Sequence, residues 1–263
     1  IGSAKIGHPN LPVAISERED SVKNYPLTQI YAEPVLIKRE EDIVLNYNKQ
    51  LDIARAMGEA ISTQAADYAA QAWGAAGSGY ILETSGTARA ASLVGATGNR
   101  KGISKADLIK VSNAILKMNI QQTGWIGVIT PDQHNDLLAI ADFVDYEKTG
   151  VESKLKEGII GRLLGIDYMV RWNDTFGSIG LHYTSAGVKK SLNADIDATD
   201  SPAALFFHPN YVRYAEAFPE TIINRKPAGY LGGTIIEAVV RFGATQSRGD
   251  GRGVLSLVEK VTT

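Results

Sequence analysis

The feature that most limits the fold is one long helical signal. From about Asn48 to Trp73, Ile53, Met57, Ile61, Ala65, Tyr68 and Ala72 recur at spacings of three and four, and no proline interrupts them. All six therefore lie on one stripe. Alanines at Ala54, Ala56, Ala60, Ala65, Ala66, Ala69, Ala70 and Ala72 allow another layer to approach closely. At 1.5 Å per residue the segment spans roughly 40 Å, against an average helix of about 11 to 12 residues. It reads as a strut on which other elements must lie, and Gly74, Gly77 and Gly79 end it.

The stretch before it, Ile1 to Asn46, has little helical periodicity. Pro9, Pro12, Pro26 and Pro34 recur through it, and Tyr25 to Ile37 (YPLTQIYAEPVLI) is rich in β-branched and aromatic residues. It reads as extended arm and strand with too few apolar positions for a core of its own. A neighbouring subunit is the expected support, with an edge hairpin folded onto its own domain as the alternative.

Two further helices carry start signals. Ser104 with Asp107 has the capping-box pattern, followed by Leu108, Val111, Ile115 and Met118 on one face. Thr130, Pro131 and Gln133 open the second, whose buried side is Leu137, Leu138, Ala141 and Val144. Between them Trp125 to Thr130 (WIGVIT) reads as a strand buried on both faces. Asp145 to Gly158 is charged and reads as a loop. Ile159 to Arg171 returns to strand character, Ala203 to Phe207 is a short buried strand, and Thr234 to Phe242 and Gly253 to Val258 read as two strands joined by a Gly-rich turn. Mixed elements without a βαβ rhythm point to the α+β class.

Composition narrows the function. The chain has 263 residues, 27 basic and 29 acidic, for a net charge of -2, so no global field would hold nucleic acid. It has no cysteine, which excludes disulfides, thiolate metal sites and cysteine nucleophiles, and fits a reducing cytoplasm. No run approaches the roughly 18 apolar residues of a membrane span. The sequence starts at Ile1 without a secretory pattern, so a trimmed or processed N-terminus is expected.

Catalytic patterns are missing. The four histidines (His8, His134, His182, His208) match no metal spacing, and the glycine-flanked Ser78 and Ser178 form no nucleophile elbow. Gly95 to Ser104, with Lys101, lacks phosphate-loop spacing, and Asn193 to Asp200 (NADIDATD) lacks the glycine and terminal Glu of a calcium loop. Arg248, Gly249 and Asp250 spell an adhesive tripeptide, but glycine and charge are also what a turn requires. Glu40 with Glu41 and Asp195 with Asp197 are carboxylate pairs with no visible pocket. Tyr211 to Phe218 (YVRYAEAF) is too short for a nucleic-acid platform. The expectation is no catalytic, cofactor-binding or metal residue, no cofactor, and no enzyme.

In order, the arm, REEDIVLNYNKQLDIARAMGEAISTQAADYAAQAW, GWIGVITPDQHNDLLAI, KEGIIGRLLGIDYMVRWNDT, AALFFHPNYVRYAEAF and TIIEAVVRFGATQSRGDGRGVLSLVE resemble the major capsid proteins of tailed bacteriophages, with the Hong Kong 97-like fold. The likeness runs over most of Glu33 to Glu259. It implies an N-terminal arm at 1–11, an extended loop and peripheral-domain strand at 12–47, a peripheral domain with a spine helix at 48–103, an axial domain at 104–226, and strands returning to the peripheral domain at 227–263. It further implies an icosahedral shell of hexamers and pentamers around a double-stranded DNA genome, in the virion after assembly in host cytoplasm. Portal, scaffold and decoration proteins are the other implied partners, with non-specific contact to packaged DNA and none to membrane. Some members of the family cross-link a lysine to a neighbour's asparagine. Lys38 lies in a suitable loop but has no matched partner. The alternative on the same fold is an encapsulin-type compartment around protein cargo.

Overall fold

The computed structural model describes residues 24–38, 49–140, 159–225, 227, 229 and 232–262. The expected arm, the first part of the extended loop, Glu40, Glu41 and the charged loop Asp145–Gly158 lie outside the described residues. In chain order the elements are strand β1 (Thr28–Ile37), helix α1 (Lys49–Trp73), β2 (Ile81–Glu83), β3 (Ala88–Ala90), β4 (Asn99–Lys101), helix α2 (Lys105–Lys117), β5 (Trp125–Ile129) and helix α3 (Pro131–Leu138). There follow β6 (Ile159–Leu163), β7 (Ile166–Val170), β8 (His182–Tyr183), β9 (Ser201–Phe207), β10 (Val212–Glu216), β11 (Glu220–Arg225), β12 (Thr234–Gln246) and β13 (Val254–Val258). The class is α+β, as expected.

Two layers carry the core. In the first, β12 is central: β1 runs antiparallel along one edge, while β11 and β10 lie end to end along the other. Strand alternation turns Ile236, Ala238, Val240, Phe242 and Ala244 toward α1, where they meet Met57, Ile61 and Ala69. Burying side chains of this size stabilises by about 1.5 to 3 kcal/mol each. Pro34 lacks a backbone donor, and the β1 register shifts by one residue between Ala32 and Val35 to pass it. The expectation of an outside support is thereby corrected for Thr28–Ile37: these residues pair with the chain's own β12, because its edge offers an unfilled ladder.

The second layer is a seven-stranded sheet in the order β2-β13-β9-β5-β7-β6, with β8 also on β9. Both its faces are covered. Ala204 and Phe206 of β9 face α2 and α3, packing with Leu108, Val111, Ile115 and Leu137. Ala203, Leu205 and Phe207 face the other way, toward Ala70 and Trp73 of α1. Double burial is why these strands read as unbroken apolar runs. Both capping boxes form as the sequence indicated. Leu164 and Gly165, with φ of 53° and 81°, make the two-residue turn between β6 and β7.

One expected pairing does not occur. β12 and β13 are not a hairpin, since β12 belongs to the first sheet and β13 sits between β2 and β9 in the second. Their alternation specified strands but not partners, and the glycine-rich link between them crosses from sheet to sheet.

Arg100 locks the segment 97–101 into the second layer. Its side chain is fully buried, and its guanidinium donates to the carbonyls of Thr97, Asn99, Ala198 and Asp200 and to Ser201 Oγ at 2.8 to 3.3 Å. What read as a glycine loop is anchored. Arg100→Met keeps much of the volume but strands these acceptors, so chemical denaturation should register a loss of about 3 kcal/mol or more with an unchanged m-value.

Candidate functional site

The residues singled out in the sequence do not converge on a reacting centre. His208 accepts from the Asn210 N–H at Nδ1, so its Nε2 donates to the Thr123 carbonyl at 3.0 Å. His182 is buried against Phe176, and desolvation lowers its pKa, disfavouring the imidazolium. Ser178 Oγ accepts from the Gly180 N–H. At the acidic turn Lys190 Nζ does what a cation would do. It donates to the Asp195 carbonyl, Asp197 Oδ2 and Asp200 Oδ2 at 2.8, 2.5 and 2.6 Å. Among the described residues no group of three His, Cys, Asp or Glu side chains could hold a metal ion. At the adhesive tripeptide Arg248 and Asp250 pair with each other at 2.8 Å.

What the fold does bring together is an exposed apolar surface on the first sheet. Inward residues of β12 are covered by α1, and the opposite face carries Tyr31 and Leu36 of β1 beside Val239 and Ile235 of β12, their register partners. Tyr31 is 67% exposed and Phe218, between β10 and β11, 94%. Tyr214, the register partner of Ala244, stacks on Phe242 on the α1-facing side and is exposed there. Large exposed apolar side chains gathered on one sheet mark a surface that meets another protein. The sequence placed Tyr214 and Phe218 in one aromatic-basic stretch. Only the strand register separates them: Tyr214 pairs with Ala244 on the α1-facing side, while Phe218 lies in the link between β10 and β11.

Buried charges, by contrast, are structural joints. Burial pushes the Asp107 carboxyl up, but bonds from Lys110, Ser85 and Ser104 outweigh it and hold the group at about 2. At Asp67 burial wins over Arg171 and Asn173, and the pKa is raised. Arg171 pairs with Asp67 at 2.6 Å and donates to the Thr63 and Ile179 carbonyls, tying β7 to α1. Gly180, at φ 88°, lies against this joint, where a Cβ would come within 2.9 Å of the Asp67 backbone. Arg89 meets Glu259, Asp132 and Asp136, and Gln133 Nε2 also donates to Glu259. Arginines and lysines normally read as surface, so the sequence signalled none of these joints.

Glu259 is fully buried, and desolvation raises its pKa from 4.5 to about 7 despite the opposing pull of Arg89 and Gln133. Between those values the folded protein holds a proton that the unfolded chain has released. Its stability contribution is therefore full below about pH 4.5 and declines as pH rises toward 7, by on the order of 3 kcal/mol. Urea titrations across that window should give a falling stability for the parent and a flatter profile for Glu259→Gln.

No family model matches the chain, and no curated relative does. Solved structures do. The capsid of Ralstonia phage GP4 aligns with a TM-score of 0.61 at 11% identity, over 90% of this chain and 74% of that one. For the capsid of the cyanophage P-SCSP1u the values are 0.57 and 16%, over 98% and 80%. For the capsid of an empty GTA particle they are 0.58 and 12%, over 98% and 81%. The likeness at such identities is one of fold, and the chain has the Hong Kong 97-like fold of tailed-phage capsid proteins.

Proposed function

We propose that the chain is a major capsid protein, copies of which assemble into the icosahedral shell around the double-stranded DNA of a tailed phage. The observation that carries this reading is the shared architecture with capsid structures over about nine-tenths of the chain. The exposed face of the first sheet and the corner beside it support it, because a monomer gains nothing from displaying Tyr31, Leu36 and Phe218 to water. Assembly would supply free energy that a single subunit lacks.

On this reading the α1 layer is the peripheral domain and α1 its spine, while the seven-stranded sheet with α2 and α3 is the axial domain, whose end meets its counterparts at the centre of hexamers and pentamers. Strands β2 and β13, which fall in the ranges 48–103 and 227–263 expected for the peripheral domain, then belong to the axial sheet. Residues 1–11 would serve as the arm and 12–47 as the extended loop and strand, of which Thr28–Ile37 pairs with β12 of the same chain. The buried ionisable groups are bound into joints, which suits a structural protein without a catalytic role. Among the described residues no helix is long and apolar enough to cross a membrane, and the virion is the proposed location. Portal, scaffold and decoration proteins are its further partners.

Expressed protein should form hollow shells visible by electron microscopy. Preparations that remain monomeric at high concentration would overturn the reading, and shells filled with protein instead of nucleic acid would point to a compartment of the encapsulin type. Deleting residues 1–23 should leave the melting temperature nearly unchanged and abolish shells. Deletion through Ile37 removes β1 from β12 and should lower thermal stability as well, by several degrees.

A further inference from the structure

Phe218 is the most exposed large apolar side chain among the described residues, at 94%. It stands where the chain leaves the β10 ladder at Glu216 and rejoins β12 at Glu220. Pro219, with no backbone donor, suits that break. Glu216 and Glu220 flank it, exposed and without an ion pair among the described residues. The corner is an aromatic knob between two negative charges.

The second sheet carries the complementary shape. A groove of about 480 Å³ opens between α2 and the Gly79–Leu82 turn, with Tyr80, Leu82, Ala114 and Met118 as its apolar walls. Among the described residues its charged lining is Lys110, Lys117 and Arg252, with no carboxylate. Lys110 contacts Asp107 at 2.9 Å and Arg252 contacts Asp250 at 3.5 Å, while Lys117 has no ion pair among the described residues.

We propose that the Glu216–Glu220 corner of one copy docks in the α2 groove of the next, with Phe218 against Tyr80, Leu82 and Met118, and the two glutamates toward Lys117 and Arg252. The proposal rests on the self-assembly reading and gives it a specific contact. An aromatic anchor in an apolar pocket with charges at the rim is the usual layout of an energetic centre in an interface. Knob and groove are different patches on different sheets, so the contact is head-to-tail, the kind that builds closed rings when the rotation closes. A second copy is the occupant because this same chain displays both charge patterns.

The chain contains no cysteine, which makes the test direct. Ala217→Cys and Asn113→Cys, prepared separately, keep the anchor and the apolar walls of the groove, which Asn113 also lines. Mixed under assembly conditions and treated with a short bis-maleimide, they should give a covalent dimer that neither variant gives alone. Lys117→Glu with Arg252→Glu should lower the assembled fraction about tenfold without changing the melting temperature, and adding Glu216→Lys with Glu220→Lys should restore it. Shells that form with no mixed cross-link, or unimpaired assembly of the charge-reversed protein, overturn the docking while leaving the capsid reading intact. A parent protein that never assembles overturns both.

Discussion

The last turn of α1 leaves carbonyls that no helical N–H can reach, and the way they are satisfied holds the two layers together. Lys189 Nζ donates to the Gln71 and Gly74 carbonyls at 3.0 and 2.9 Å, bringing a positive charge to the negative end of the helix. Gln246, the last residue of β12, donates through Nε2 to the Trp73 and Gly74 carbonyls, both at 2.9 Å. Trp73 Nε1 donates to the Arg213 carbonyl, and its ring packs on Phe207 of the second sheet. Just beyond, the Tyr183 hydroxyl lies 2.7 Å from both the Ala75 carbonyl and Ser256 Oγ. One helix end thus takes bonds from both sheets, and their packing follows from where it stops.

The other joints repeat the principle with charge. Asp67 with Arg171 fixes the middle of α1 to β7, Arg100 fixes β4 to the start of β9, and Arg89 links β3 to α3 and the segment after β13. Groups taken out of water in this way are costly unless their bonds are satisfied, so each joint tolerates little displacement. Burial shifts the pKa values of Asp67, Arg100 and Glu259, and Glu259 Oε2 has no hydrogen-bond partner among the described residues.

Surface character divides accordingly. Inside, apolar alternation is used on both faces of the seven-stranded sheet and on one face of the four-stranded sheet. The remaining face keeps Tyr31, Leu36 and Val239, and the β10–β11 corner keeps Phe218. A chain with interspersed charges and a net charge of -2 has no long-range field to prevent such faces from meeting.

The local code was legible from sequence alone: the α1 stripe, the boxes at Ser104 and Thr130, the apolar runs of β5 and β9, and the α+β class all depend on residues a few positions apart. The order of the segments was enough to suggest the capsid fold. Partnership was not legible, because strand alternation says which side is buried and never which strand lies alongside. Tertiary structure alone decided that β1 pairs with β12, that β12 and β13 part into different sheets, and that Arg100, Arg171 and Lys189 turn inward. Each of those outcomes depends on carbonyls and carboxylates distant in the chain, which only the folded backbone brings within hydrogen-bonding distance.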